Sequence, residues 1–338
     1  PWIVDNVEEG RVIENRLRME GRWNQTDGLK VEALTGTMRF DGVSINYLTP
    51  MPKVRNGTGR AVYDRKTFDI TITGAEGPGL KVTSGRMVFT DLDKVDQFTE
   101  IDVRVDGPLA AALTLIDHEP LGFARAVGID PKLTSGESST QLKLKFLVER
   151  IMTPETIKVS AVSRVRKGTL PDIVRGLDLS RGELTLAADN DGMTVQGKVT
   201  LGTVNADLVW RQNFQSSVGI LTEYQLTGRL DRRQWTEELG LDFLPFTAEF
   251  MNGSMETKLI VTRDQQGGGA VTANIGLDNV AMSLPALGWS KEKGVQATAE
   301  VEALFANEKF VRIPRFSIAA PRLTVLGAAE FDKAGKPS

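Results

Sequence analysis

The sequence predicts a mainly β protein built on an antiparallel sheet, and three observations carry that expectation. Apolar and polar residues alternate through most of the 338 positions. Leu142, Leu144, Phe146 and Val148, for example, interleave with Gln141, Lys143, Lys145 and Glu149. Successive side chains of a strand point to opposite faces, so such runs describe strands with one dry face and one wet face. Turn residues separate the runs, and helical periodicity is confined to a few short stretches.

The strands are expected in this order. Met38–Tyr47 alternates as far as Asp41-Gly42, where a bulge would flip the register. Phe68–Thr73 puts Ile70 and Ile72 on one side, and Ile101–Val105 does the same with Val103 and Val105. Gln141–Glu149 and Ile157–Val165 follow, the latter with Val159. Asn190, Asp191 and Gly192 form a tight hairpin signal ahead of Val195–Leu201 and Val204–Trp210. Met255–Val261, Val271–Leu277 and Leu323–Phe331 complete the set, with Gly267, Gly268 and Gly269 loosening one junction. Arg211–Gly219 lacks periodicity and reads as a loop between two halves, 1–215 and 216–338.

Helices are expected at Leu109–Asp117 and Leu121–Val127, interrupted at Pro120, which cannot donate a backbone hydrogen bond inside a helix. Leu170–Arg175 and Arg232–Leu239 are two further candidates. After each helical region comes a similar tripeptide: Gly128-Ile129-Asp130, Gly176-Leu177-Asp178 and Gly240-Leu241-Asp242. A second glycine follows, at Gly136, Gly182 and Gly253, before alternation restarts. The spacing from Gly136 to Leu142 equals that from Gly253 to Leu259, which suggests an internal repeat of strands, short helix, glycine stop and strands again. Glycine is also the commonest helix C-cap, which would account for the first glycine without any repeat.

Composition sets the bounds. At 338 residues the chain exceeds the usual single-core size, so two domains or one elongated repetitive body are expected. A net charge of -3, from 41 Lys+Arg against 44 Asp+Glu, gives no electrostatic reason to expect a nucleic-acid partner. Zero cysteines excludes disulfides and thiolate metal sites, and the 33 glycines suit many turns. The most apolar stretch, Pro108–Ile116, has nine residues, where a bilayer-spanning helix needs about twenty. An opening on Pro1 and a close at Ser338 without a packing signal lead us to expect a piece of a longer chain or a processed product.

A search for chemistry returns little, and neither a catalytic group nor a cofactor or metal site is expected. His118, the one histidine, sits between Asp117 and Glu119 at a charged helix end that reads as solvated surface. Asp189 to Gly192 has the start of a calcium loop but none of its later ligands. Ser290 and Lys293 form a Ser-x-x-Lys without companion motifs. Nothing selects among acidic pairs such as Asp91 with Asp93 or Glu237 with Glu238. Arg164, Arg166 and Lys167 are a small basic cluster that could touch lipid headgroups or simply face water. Asn24, Asn56 and Asn252 begin Asn-x-Ser/Thr triplets, which matter only in a source that glycosylates secreted proteins.

The dry face is mostly small and aliphatic: Val199, Leu201, Val204, Ala206, Leu208, Val271, Ala273, Ile275 and Leu277. A two-sheet sandwich would cover such faces, and so would a long curled sheet whose apolar concavity is filled by hydrocarbon. Periodicity alone leaves both open.

Gly36–Leu48 with Pro50-Met51-Pro52, Leu284–Lys291 with Gly294, and Gly327–Asp332 carry motifs through which the chain resembles large bacterial AsmA-like proteins of the YhdP type. Gly36–Leu48, followed by Pro50-Met51-Pro52, is similar to that family's F-x-G-x-x-x-x-Y-x-x-x-x-P segment, through Phe40, Gly42 and Tyr47. Leu284-Pro285-Ala286-Leu287-Gly288-Trp289-Ser290-Lys291, with Gly294 after it, resembles the L-P-x-L-G-W-x-K segment. Gly327-Ala328-Ala329-Glu330-Phe331-Asp332 resembles the closing G-x-x-x-F-D strand, and Trp2–Gly10 with Arg16-Leu17-Arg18 is similar to the opening.

The resemblance implies an elongated, curled, taco-like sheet, a repeating β-groove crossed by a few short helices. It implies non-enzymatic phospholipid transport between inner and outer membranes, in the periplasm, with an inner-membrane anchor outside this sequence. The groove wall would then be Ile70, Ile72, Val103, Val105, Leu142, Leu144, Phe146, Val159, Val199, Leu201, Leu208, Val271, Ile275, Leu277 and Val325. The partners would be acyl chains and the two membranes. The alternative is a structural or interaction module of the cell envelope whose β core closes on itself.

Overall fold

The structure, a computed structural model, describes residues 6–26, 28–148, 156–174, 177–215, 219–238, 240, 246–307 and 309–332. It is 70% strand, which makes the chain mainly β as its alternation requires. β1 (Val7–Asn24), β2 (Gly28–Ile45), β3 (Val54–Asp64), β4 (Phe68–Gly77), β5 (Leu80–Thr90) and β6 (Phe98–Pro108) open the chain. β7 (Ser135–Leu147), β8 (Lys158–Val174), β9 (Leu177–Asp189), β10 (Gly192–Leu201), β11 (Val204–Asn213) and β12 (Ile220–Asp231) continue it. β13 (Met251–Asp264), β14 (Gly268–Gly276), β15 (Val280–Leu284), β16 (Trp289–Lys291), β17 (Thr298–Ala306), β18 (Lys309–Ala320) and β19 (Leu323–Glu330) end it.

These 19 strands belong to one open antiparallel sheet. Most strands pair with their neighbours in sequence, as in β1 with β2 and β2 with β3. The exception is the small hairpin of β15 and β16, which pairs with the start of β13 at Met251–Gly253 while β14 pairs directly with β17. By compactness the chain divides into two units, Pro1–Gly168 with Ala187–Asn190, and Thr169–Leu186 with Asp191–Ser338.

In the first unit the strand register keeps one kind of side chain on one face. Ile70 lies opposite Ala61 and Met87, Met87 opposite Ile101, and Ile101 opposite Leu144. Directly opposed residues share a face, so this row is continuous across β3 to β7. The expected bulge at Asp41-Gly42 is present: Phe40 pairs with Gly59, and the next match is Val43 with Gly57. α1 (Leu109–Asp117) and α2 (Phe123–Ala126) follow β6, separated at Pro120 as expected.

The second unit has the same parity and, in addition, a closed core. Val199 lies opposite Ala206, Leu208 opposite Leu226, Leu226 opposite Leu259, and Leu259 opposite Ala273. At one end of these strands a π-type turn, Gln234–Glu238, buries Trp235 completely against Met251, Met255, Leu277, Val280, Met282 and Trp289. Lys291 is buried there as well. Its Nζ donates to the carbonyl oxygens of Val280 at 2.8 Å, Leu277 at 2.9 Å, Glu292 at 3.2 Å and Asp278 at 3.3 Å. Burial holds the Lys291 ammonium below its ordinary pKa, and the gathered carbonyls satisfy its donors.

Two expectations need correction. Leu170–Val174 is not helical but continues β8, and Arg175 lies outside the described residues. A run carrying the β-branched Ile173 and Val174 suits extended backbone, so the ladder wins over the apparent helical spacing. Arg211–Asn213, expected as loop, ends β11, with Arg211 opposite Glu223 and Gln212 opposite Thr222. The repeat fares unevenly. Gly176, Leu239, Leu241 and Asp242 lie outside the described residues, and the middle copy follows a strand rather than a helix. Gly136 and Gly253 are alike in detail. Their φ values are +119° and +149°, and a Cβ on either would meet neighbouring backbone, 2.8 Å from the Arg166 carbonyl oxygen and 2.0 Å from that of Asn279.

Many of the glycines do not sit in turns at all. Tyr63 lies opposite Gly36, Phe40 opposite Gly59, Phe305 opposite Gly269 and Phe316 opposite Gly327. In each pair the ring occupies the space a Cβ would take. Such pairs let an aromatic ring lie across the neighbouring strand and cover its backbone.

Gly253→Ala is expected to lower stability by about 2 kcal/mol or more, because it combines a forbidden φ with a backbone clash. Gly276→Ala, whose Cβ would meet nothing nearer than 3.6 Å, should stay within about 0.5 kcal/mol. Urea unfolding of the two variants separates them.

Candidate functional site: the apolar face of the sheet

The groove-wall residues read from the sequence fall on the dry side of the strands that carry them. In the first unit Val103 lies opposite Gly85 and Leu142, Val105 opposite Val82 and Thr140, and Phe146 opposite Thr99. Ile70 and Ile72 join the same row through Met87 and Gly85. Val159 has the parity of Ser163, whose hydroxyl accepts a 2.8 Å hydrogen bond from Thr140 on that face. In the second unit Val199, Leu201 and Leu208 line up with Ala206, Val204 and Gly197. Val271 and Ile275 lie opposite Ala303 and Ala299, and Val325 opposite Ile318.

Their depth differs. Val103, Phe146, Val199, Leu201, Leu208 and Leu277 are buried. Ile70, Ile72, Val105, Leu142, Leu144, Val159, Val271, Ile275 and Val325 are only half-buried. Leu277, at 2% exposure, belongs to the closed core around Trp235, and Ile275 packs against it. Leu277 is therefore enclosed by protein, and Ile275 only in part.

Sequence reasoning left out much of this face. Leu17 and Met19 on β1, Met38 and Phe40 on β2, and Met87 on β5 share it in the first unit. Tyr224, Leu226 and Val261 share it in the second unit. The signal was available in the facing glycines: a glycine at an inward position marks a neighbour whose aromatic side chain covers it, as Gly59 does for Phe40.

Most of this face is apolar; the Thr140, Ser163 and Thr222 hydroxyls on it are hydrogen-bonded, and three further polar atoms are not. Thr99 Oγ1, Thr257 Oγ1 and Trp210 Nε1 are buried on it and have no hydrogen-bond partner among the described residues. A buried donor or acceptor in that state costs about 1–3 kcal/mol. Most charges sit on the other side, whereas Arg263, of the same parity as Val261, lies on this face with its guanidinium 5.9 Å from the centre of the Phe305 ring. Arg86 pairs with Asp69 at 2.6 Å, Lys145 with Glu100 at 2.5 Å, Lys143 with Asp102 at 3.2 Å and Lys198 with Asp207 at 3.0 Å. The hydrogen bond and charge of Arg86 hold Asp69 below the usual carboxylate range, and Lys145 does the same to Glu100.

The other motifs resolve into structural roles. His118 Nδ1 is 2.9 Å from the Glu119 carbonyl oxygen, while Asp117 is engaged by the Arg125 backbone N–H at 2.8 Å and by its Nε at 3.1 Å. Those bonds hold the Asp117 carboxyl below its ordinary pKa. Asn190 accepts from the Val159 N–H at 2.7 Å and donates to the Ile157 carbonyl at 2.8 Å, which ties the hairpin turn to β8. Asp91 pairs with Lys94 at 2.6 Å. Glu237 pairs with Arg233 at 2.7 Å, whereas Glu238 accepts from the Thr203 N–H at 3.1 Å. Arg164, Arg166 and Lys167 are exposed.

Among the described residues no group of three or more His, Cys, Asp or Glu is placed to hold a metal ion, and no helix is long and apolar enough to cross a membrane.

The assignment of faces is testable. Val103→Asp would put an unpaired carboxylate at a position 8% exposed and should cost about 2–4 kcal/mol in denaturant unfolding. Leu326→Asp, on the opposite side of β19 at 73% exposure, should stay within about 0.5 kcal/mol.

Comparison of the chain with protein-family models, with curated proteins and with solved structures finds no match in any of the three.

Proposed function

We propose that this chain is a non-enzymatic phospholipid-transfer segment of the AsmA-like type, in which acyl chains travel along the apolar face of the sheet. The reading places it in the periplasm, between the inner and outer membranes, with its membrane anchor elsewhere in a longer parent. The observation that carries it is the one-sidedness of the sheet. Aliphatic side chains such as Ile70, Ile72, Leu142 and Leu144 form a continuous row and yet remain half-buried. Their outward neighbours are ion-paired at the surface.

The energetics favour hydrocarbon as the missing cover. A buried CH₂ is worth about 0.8 kcal/mol, so an acyl chain that leaves a bilayer for an apolar wall loses little. A strand of seven to nine residues is roughly 25 Å long, enough to shelter a lipid tail when curled. Transfer of this kind breaks no covalent bond and calls for no acid, base or metal. Segments such as Leu284–Lys291 and Gly327–Asp332, similar to those of AsmA-like proteins, support the same reading.

A second reading, a scaffold module of the cell envelope with a closed β core, is favoured by one observation. The cluster around Trp235, Val280 and Leu277 is sealed by protein, with all three at 2% exposure or less.

Photocrosslinking separates the two. A photoreactive residue placed at Ile72, Leu144 or Val271, in protein produced in a bacterial envelope, is expected to capture phospholipid detectable by mass spectrometry. The outward positions Lys143 and Lys198 should capture none. Equal yields inside and outside, or no adduct from any inward site, would sink the lipid path and leave the scaffold.

A further inference from the structure

On the polar side of the second unit lies a cleft of about 500 Å³ lined by Arg229, Arg232, Arg233, Lys293, Asp231, Asn252, Gly253, Ser254 and Asn279. It sits behind the dry face: Arg229 and Asp231 flank the inward Leu230 on β12, and Ser254 precedes the inward Met255 on β13. We propose that this cleft binds a phosphoryl-bearing anion. The proposal is independent of the lipid path, which uses the opposite face.

Three observations support it. The lining holds four cations against one carboxylate. That carboxylate is committed: Asp231 Oδ1 accepts from the Gln234 N–H at 2.9 Å, while Gln234 Oε1 accepts from the Asp231 N–H at 2.9 Å. Of the cations, Arg233 is paired with Glu237 at 2.7 Å, and Arg229 donates through Nε to the neutral Ser254 hydroxyl at 3.0 Å. No ion pair within the described residues joins Arg229, Arg232 or Lys293 to an acid.

The floor is fixed by backbone: the space a Gly253 side chain would take is filled by the Asn279 carbonyl, which accepts from the Ser254 N–H at 3.2 Å. Asn252, Asn279 and Ser254 add neutral hydrogen-bonding groups around the cations. Guanidinium groups match phosphate oxygens in pairs, and an ammonium adds a point charge, so a multiply charged tetrahedral anion fits this set better than a single carboxylate does. A lipid headgroup phosphate and a free phosphate ester present that same chemistry.

The test uses the whole chain and two probes. Inorganic pyrophosphate is titrated by calorimetry, and vesicles of phosphatidylglycerol or of phosphatidylcholine are tested by co-sedimentation. Saturable binding is expected, falling as salt rises, and weakening about tenfold or more in the R229Q/R232Q/K293Q variant. The charge-matched variant K143Q/K145Q/K258Q should bind as the parent does. Pyrophosphate binding without vesicle binding identifies a soluble phosphate ester, and selective binding to phosphatidylglycerol identifies a headgroup. If circular dichroism shows the first variant unfolded, Lys293→Gln alone, at an exposed loop position, is read in its place. Absence of saturable binding to either probe, or equal weakening in both triple variants, overturns the proposal.

Discussion

The structure depends on keeping parity from strand to strand. Each strand must place its backbone hydrogen bonds on its neighbours, and a slip of one residue would turn every inward side chain outward. The row from Ile70 through Met87 and Ile101 to Leu144 survives only because four successive strands hold the same register. Where the chain breaks period, a bulge repairs it. At Asp41-Gly42 one extra residue moves the inward set from Phe40 to Val43, so both sides of the bulge face the same way.

Packing on the dry face then divides the molecule's behaviour. In the first unit aromatic rings lie over glycines of the next strand, as Tyr63 does over Gly36 and Phe40 over Gly59, which covers backbone without a second layer. In the second unit a π-type turn and a small hairpin fold over one end of the strands and seal Trp235. Lys291 belongs to this seal: its ammonium is held by carbonyls of the β14–β15 connection, of which those of Leu277 and Asp278 also accept from the Val280 and Gly294 N–H groups. The same sheet therefore presents half-buried aliphatics in one place and a closed core in another.

Strands with clean alternation were legible in the sequence, as at Gln141–Phe146 and Val204–Trp210. β1, β3, β5, β9, β12 and β15 to β18 were not. β1 carries charged outward residues and exposed apolar ones with a bulge near Ile13, and β3 replaces inward side chains with Gly57 and Gly59, so neither shows an apolar period to a reader of residues. The helix expected at Leu170–Arg175 rested on spacing alone and yielded to the β ladder. For the candidate site the parity of each residue could be read, but not its depth. Ile72 and Leu277 look alike in sequence, yet one is half-buried and the other is enclosed because residues distant in sequence, Trp235 and Met251, pack in one cluster with it.

The near-sequential pairing of the strands has a consequence for how the chain reaches this state. Contacts between adjacent strands close short loops, and the departures among the described residues, β13 with β15 and β14 with β17, enclose only β14 or the β15–β16 hairpin and their connections. Chains whose pairings are local need bring together few remote segments before contacts begin to repay the lost entropy. Such a sheet can grow one strand at a time from either end, and during synthesis the first strands can pair before the last have left the ribosome.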